Sequence, residues 1–315
     1  MLFYIAEGRI GNQIFQYAFL KTISYKLKQK VISFGFDELS ETFDGVDIFV
    51  IKNPFYPLKD KKEFRAIYWW YNYIFYRIRD SLDLLSDKGL ISCIEHDERI
   101  KGAKYIDQKS EETDKKINET NIKKDWELKI GLIRKFVFVK PGFFQSERFF
   151  SPDLLNIKIK QRFLYEAQRF IETRLPKDAY KVFVHFRAGD YKNFRIFGKE
   201  VIPPLPYYKN LIKWFEENRK NCFFIIPTDE PNEAENLFFD IRNKVISKNH
   251  HGVDMAIMSL CDGAILSPSS FSWWGAYFMK KRDIVFAPKY WTGWKSKIEY
   301  PPGCFPSFAK EVQIE

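Results

Sequence analysis

The sequence predicts an α/β fold built on Rossmann-like parallel sheet. Three observations predict it. Short apolar runs recur along the chain, each run ends in a polar loop, and each loop opens a segment whose apolar residues return at helical spacing. The clearest run is Val182–Arg187, where Val182, Val184 and Phe186 alternate with Phe183, His185 and Arg187 ahead of Ala188-Gly189-Asp190-Tyr191. In open α/β sheets, ligands bind at the carboxyl ends of strands. An Arg and a His delivered there suit an anionic ligand, because a guanidinium forks onto phosphate oxygens. The same residues also fit a strand end with one solvated Arg and one satisfied His.

Taken in order, residues 2–6 form the first expected strand. The Glu7-Gly8-Arg9-Ile10-Gly11-Asn12-Gln13 turn follows, then a helix with Phe15, Phe19, Ile23 and Leu27 on one stripe, and Val31–Phe34 resumes strand character. Gly8, Arg9 and Gly11 would set N–H groups and a cation at a helix N-terminus, a seat for an oxyanion. Glycines also occur in such loops for steric reasons alone. Residues 52–79 interleave Lys52, Lys59, Lys61, Lys62, Arg65, Arg77 and Arg79 with an aromatic run from Tyr68 to Tyr76. That suits a helix packed on the core, or a surface that stacks on sugars or meets lipid headgroups. Residues 107–129 are dense in charge of both signs and read as a solvated helix or an insertion. The sequon at Asn118 carries no weight without a secretory signal. Phe136–Val139 reads as a strand and 161–175 as a helix bridging to the second half. Pro176-Lys177-Asp178 is the break, which sets the expected domains at 1–175 and 176–315.

In the second half, a helix is expected near 206–219 and a strand at Cys222–Ile226, ending in Pro227-Thr228-Asp229-Glu230. A helix at 253–261 and a strand at 263–267 lead to Ser267-Pro268-Ser269-Ser270-Phe271-Ser272-Trp273-Trp274-Gly275. A helix to Lys281 and the strand Ile284–Ala287 close the pattern. Three successive strand ends therefore present Arg187 and Asp190, then Asp229 and Glu230, then the serines. Ser269, Ser270 and Ser272 stand at a helix start, where hydroxyls and unpaired N–H groups can hold phosphate. Carboxylates on the adjacent strand end can accept N–H or O–H donors from a base or ribose. This convergence favours a nucleotide-sugar site. No GxxxxGK[ST] loop is present, which argues against a nucleoside triphosphatase.

Composition bounds the remaining classes. At 315 residues, with 45% apolar and 18% aromatic content, the chain can bury two ordinary cores. A formal charge of +10 attracts phosphates, nucleic acid or anionic membrane without choosing among them. Cys93, Cys222, Cys261 and Cys304 form no CxxC pair and suggest a reducing compartment. His250-His251 reads as a loop rather than a metal site. The Met1–Ala6 start is too short for a signal h-region, and no apolar run approaches the ~20 residues of a spanning helix, so a soluble or peripheral protein is expected.

Four motifs carry a resemblance. They are Gly8-Arg9-Ile10-Gly11-Asn12-Gln13-Ile14-Phe15-Gln16-Tyr17-Ala18, Gly142-Phe143-Phe144-Gln145-Ser146-Glu147, His185-Phe186-Arg187-Ala188-Gly189-Asp190-Tyr191, and Asp254–Cys261 followed by Ser270–Ala276. In this order the chain resembles glycosyltransferase family 11, the α-1,2-fucosyltransferases, from end to end. The resemblance implies a GT-B-like fold of two Rossmann-like domains facing a cleft. The acceptor side would be 1–175 and the nucleotide-sugar side 176–315. It implies an inverting enzyme that uses GDP-fucose, needs no metal and has no cofactor.

Carried over by position, the resemblance gives Arg187 the diphosphate, His185 a nucleotide contact, Asp229 and Glu230 the guanine, and Asn12 the acceptor side. Ala188 stands where the family has a second Arg, and Glu230 where it has Asp. Both departures bear on the donor. Arg9 is a further candidate for phosphate charge, and Glu7 is the candidate base that deprotonates the acceptor. The expected partners are a nucleotide-sugar donor and an oligosaccharide or lipid-linked glycan acceptor, with no nucleic acid. The expected place of work is the cytoplasm, with peripheral association at the inner face of the membrane as an option. Alternatives are a transferase of another nucleotide-activated hexose, a non-catalytic glycan or polyanion binder, and a nucleic-acid binder suggested only by charge and aromatics.

Overall fold

The computed structural model describes residues 1–96 and 126–314. The chain divides into two units, Met1–Lys158 and Ile159–Glu315. Most of the charge-dense segment, 107–125, lies outside the described residues and takes the Asn118 sequon with it.

The first unit contains β1 (Leu2–Ile5), α1 (Ile10–Leu27), β2 (Val31–Phe34), α2 (Asp37–Thr42), β3 (Phe49–Ile51), α3 (Lys62–Asp87), β4 (Ile91–His96), β5 (Trp126–Lys129) and β6 (Ile133–Val139). Its sheet runs in the order β3-β2-β1-β6-β4-β5. All pairs are parallel except β4–β5. Residues 126–129 are thus an edge strand, where a solvated helix was one expectation. Helix α1 is buried around most of its circumference, from Ile10 through Tyr17 to Ile23, rather than along the single expected stripe. A helix enclosed on all sides needs no polar face.

The second unit opens with α4 (Gln161–Arg174) and continues β7 (Tyr180–Val184), α5 (Leu205–Asn218), β8 (Cys222–Pro227), α6 (Pro231–Leu237), β9 (Lys244–Ser247), α7 (His251–Ser259), β10 (Gly263–Ile265), α8 (Ser270–Tyr277), β11 (Ile284–Pro288) and β12 (Lys310–Val312). From sequence alone the first domain is expected to run through 175. In the structure, α4 is grouped with the second unit, where Phe163 stacks on His250 at the start of α7, ring centroids 5.4 Å apart. His250 itself caps α7, its Nδ1 accepting the Gly252 N–H at 3.2 Å.

The second sheet is parallel throughout, in the order β9-β8-β7-β10-β11-β12. Counted within the unit this is 3-2-1-4-5-6, the doubly wound order whose direction reverses between the first and fourth strands. Val182, Val184 and Phe186 enter one apolar cluster with Tyr208, Phe215 and Phe224. Phe183, on the opposite face, is also fully buried. Sheets covered on both faces read as continuous apolar runs, which is how β7 and β8 appear in the sequence. Each unit is by itself an α/β, Rossmann-like half of the kind expected for a GT-B-like fold. All four cysteines are free and buried.

Candidate active site

The reversal in the second sheet falls between β7 and β10, and the chain extends past both strands there. His185 N–H donates to Ile265 O at 3.0 Å, Phe186 N–H donates to Pro227 O at 3.1 Å, and Phe186 bridges Thr228. This register carries Arg187 level with Asp229 and sets His185 beside Ser267. Arg187 Nε donates to Asp190 Oδ1 at 3.0 Å and Nη2 lies 2.8 Å from the same oxygen, while Asp229 Oδ2 forms an ion pair with the guanidinium, 3.1 Å from Nε. The guanidinium also stands over the Tyr191 ring, 5.5 Å from the centroid, and the Tyr191 hydroxyl donates to Pro268 O at 2.9 Å. Nη1 has no partner among the described residues.

The two carboxylates differ in kind. Asp190 is 65% exposed and Asp229 21% exposed. Asp229 Oδ1 accepts the Ala188 N–H at 3.1 Å as well, so both of its oxygens are engaged. A Cβ on Gly189 would come within 2.6 Å of Asp229 Oδ2, so only glycine admits this approach. Asp229 therefore positions Arg187 and its loop. Glu230 keeps an exposed carboxylate 3.6 Å from Lys192.

His185 is buried, and its Nδ1 lies 2.5 Å from Ser267 Oγ. Burial, then the Arg187 charge, push the imidazole down to about 3, so it is neutral. The serine run divides by role. Ser269 caps α8 by accepting the Phe271 N–H at 3.3 Å. Ser270 is the first residue of α8 and is half-buried. Ser272 is fully buried and donates inward, 2.9 Å from Ser267 O and 3.0 Å from Ser269 O. It shapes the loop and does not face a ligand, contrary to the expectation. Ala188 is fully buried in the apolar cluster. A second arginine has no room there.

In the first unit the reversal lies between β1 and β6. Asn12 Oδ1 accepts from Gln145 Nε2 at 2.8 Å, joining two motifs that are far apart in sequence. A Cβ on Gly8, whose φ is +79°, would fall 2.5 Å from Asn12 Nδ2. The expected oxyanion seat at this turn is filled by the protein itself, because Glu38 Oε2 accepts the Ile10 N–H at 2.7 Å. Arg9 is exposed and its side chain has no partner among the described residues. Glu7 forms an ion pair with Arg79. A pocket at the ends of β1, β2 and β3 is lined by Glu7, Asp37 and Glu38 with Asn53, Tyr68 and Tyr76. Asp37 is 6% exposed, and burial pushes its carboxyl up to about 6.

Residues 101–298, more than half of the chain, match glycosyl transferase family 11. The chain belongs to that family. Among curated relatives, the O-antigen biosynthesis glycosyltransferase WbnK of Escherichia coli is 31% identical over 120 residues, covering 36% of this chain and 40% of that protein. The alpha-1,2-colitosyltransferase of Escherichia coli is 32% identical over 165 residues, covering 48% and 54%. The matched stretches span about half the length of these relatives or less. The crystal structure of the glycosyl transferase family 9 protein from Veillonella parvula DSM 2008 covers 99% of this chain and 85% of its own at 9% identity, with a TM-score of 0.51. It shares the fold.

Against this family 11 frame, the structure brings His185, Arg187, Asp190, Asp229 and Ser269 to one strand-end edge. Glu7 and Asn12 belong to the edge of the first unit. Sequence reasoning missed Arg79, Asp37 and Glu38. The only signal for Asp37-Glu38 was a pair of acids soon after the second strand, and Arg79 was counted with a charged run.

Proposed function

We propose that this family 11 protein is an inverting, metal-independent glycosyltransferase that moves L-fucose from GDP-fucose to a hydroxyl, O-2 of galactose, in a surface-glycan precursor. The observation that carries the reading is the strand-end cluster at the sheet reversal, where Arg187 is held by Asp229 and leaves one edge open. A departing diphosphate gains negative charge as its bond to the anomeric carbon breaks. A ligand oxygen can replace exposed Asp190 on Nη2 and Nε while the Asp229 ion pair keeps the guanidinium in place. One preorganised donor of this kind contributes about 2.7–4 kcal/mol to lowering the barrier. The start of α8, capped by Ser269, adds its dipole. Neutral His185 adds no charge; it holds Ser267 and so the approach to that helix.

The acceptor hydroxyl attacks from the opposite face of the sugar and must lose a proton. We assign that proton to Glu7, whose carboxylate Arg79 orients. The names of both relatives, one an O-antigen enzyme and one a colitosyltransferase, support a glycan acceptor. The second of them makes transfer of colitose the alternative. Incubation in EDTA with a galactoside acceptor and each of GDP-fucose, GDP-mannose and UDP-galactose tests the proposal. NMR of the product should show an α-linked fucose on O-2. Turnover of UDP-galactose alone would overturn it.

A further inference from the structure

We infer that the outward face of α3 is a docking surface for an anionic lipid bilayer. One side of this 26-residue helix packs on the first unit, where Phe75 meets Phe34 with ring centroids 4.1 Å apart and Tyr71 meets Phe55 at 6.2 Å. The other side is uncovered. Trp69, Trp70 and Tyr73 are 60%, 65% and 57% exposed, and Leu84, farther along, is 55% exposed. Ala66, Tyr73, Arg77 and Leu84 recur at intervals of seven, four and seven, with Trp69 and Trp70 to either side, so these residues share one face. Trp69 meets only its neighbour Tyr68 edge-on, ring centroids 5.5 Å apart, and both tryptophans leave most of their surface to solvent. Trp and Tyr favour the membrane–water boundary, where the ring is in an apolar layer and the N–H or O–H stays wet.

Charge selects the partner. Residues 59–79 hold six basic and two acidic side chains. Lys61, Lys62 and Arg65 are exposed where the helix begins, and none has an ion-pair partner among the described residues. Acids in the second half of α3 are already engaged: Asp80 with Arg79 and Arg77, and Asp83 and Asp87 with Lys140. An aromatic stripe with basic residues at its start matches a helix lying in the plane of an anionic interface. No described helix is long and apolar enough to cross a membrane, so α3 would lie on the bilayer. A second copy of the chain would set this positive face against itself. The inference does not rest on the transferase reading.

The test is co-sedimentation of the full chain with vesicles of phosphatidylcholine alone and of phosphatidylcholine with phosphatidylglycerol, at low and high salt. The protein should pellet with the anionic vesicles, shift its tryptophan emission to the blue, and be released by salt. W69A/W70A/Y73A should abolish pelleting. K61E/K62E/R65E should lower partitioning by more than about tenfold, since each basic residue near an anionic surface contributes a several-fold factor. Both variants change exposed positions and should keep the far-UV CD melt of the wild type. Wild type left in the supernatant overturns the inference. So does pelleting that survives both variants, or a dimer that W69A/W70A/Y73A dissolves.

Discussion

Arg187 Nε lies 3.1 Å from Asp229 Oδ2, just past the end of the neighbouring strand of the second sheet. The contact follows from register, because the Phe186–Thr228 bridge brings the next residue of each strand together. It fixes the direction of the guanidinium before any ligand arrives. Asp229→Asn should therefore weaken donor binding although Asp229 need not touch the donor. The substitution removes the ion pair with Arg187 and weakens the charge-assisted bond from the Ala188 N–H, and bonds to charged groups contribute roughly 1.5–3 kcal/mol, so a loss of about ten- to a hundredfold in kcat/KM is expected. Steady-state kinetics at varied donor concentration checks this, and an unchanged kcat/KM would contradict it.

Arg187→Ala should lose most turnover with little change in melting temperature. Arg187→Lys should recover little, because an ammonium cannot serve Asp229 and a phosphate oxygen with a planar fork. Near-normal activity in the alanine variant would return Arg187 to a solvated strand end.

Ala188→Arg restores the family residue in sequence but should not restore function. Ala188 is fully buried among apolar side chains, and a charged side chain there is desolvated without a partner. Equilibrium denaturation should show destabilisation of at least ~3 kcal/mol, the range for uncompensated buried charge. A variant as stable as wild type would show that the loop can open to admit the side chain.

Much of this site was legible in the sequence, and the limits were physical. The alternation of Val182–Arg187 and the serine run before α8 declare strand, loop and helix start through local spacing alone. Partners set by tertiary register did not show: Asp229 on Arg187, Glu38 on the Ile10 N–H, and Arg79 on Glu7 all join residues with no common period. The short strands Lys244–Ser247 and Lys310–Val312 were missed because their pairing comes from the neighbouring ladder rather than from their own composition. Ser272 misled for the opposite reason. Its hydroxyl fits a ligand site by type, but the loop turns it inward.

Glu7 and Asp37 line the same pocket and can be separated by substitution. Glu7→Gln should keep nucleotide affinity and lower kcat by on the order of 10²–10⁴-fold, the usual cost of a lost general base. Asp37→Asn should leave kcat within about tenfold. The reverse pattern would move the proton to Asp37, whose carboxyl burial pushes up to about 6.

Two buried groups give stability opposite pH dependences. Burial pushes His185 down to about 3 from 6.5, so only the unfolded chain gains its proton as pH falls, and stability drops from about pH 6.5 downward. Burial pushes Asp254 up to about 7 from 3.8, so only the unfolded chain loses its proton as pH rises, and stability drops from about pH 4 upward. Asp254→Asn removes the second effect alone. Relative to wild type, the variant should gain on the order of 1 kcal/mol per pH unit between about pH 4.5 and 6.5. Urea denaturation at several pH values measures the difference, and a pH-independent difference would contradict the assignment.

In the proposed reaction, Arg187 and the start of α8 hold a guanosine diphosphate without a metal. The most direct measurement is the melting temperature in EDTA with GDP, UDP and dTDP, for wild type and Arg187→Ala. GDP alone should give saturable stabilisation, greatly reduced in Arg187→Ala and unchanged by adding Mn²⁺. Stabilisation by UDP instead, by GDP only when Mn²⁺ is present, or equally in both proteins would contradict it.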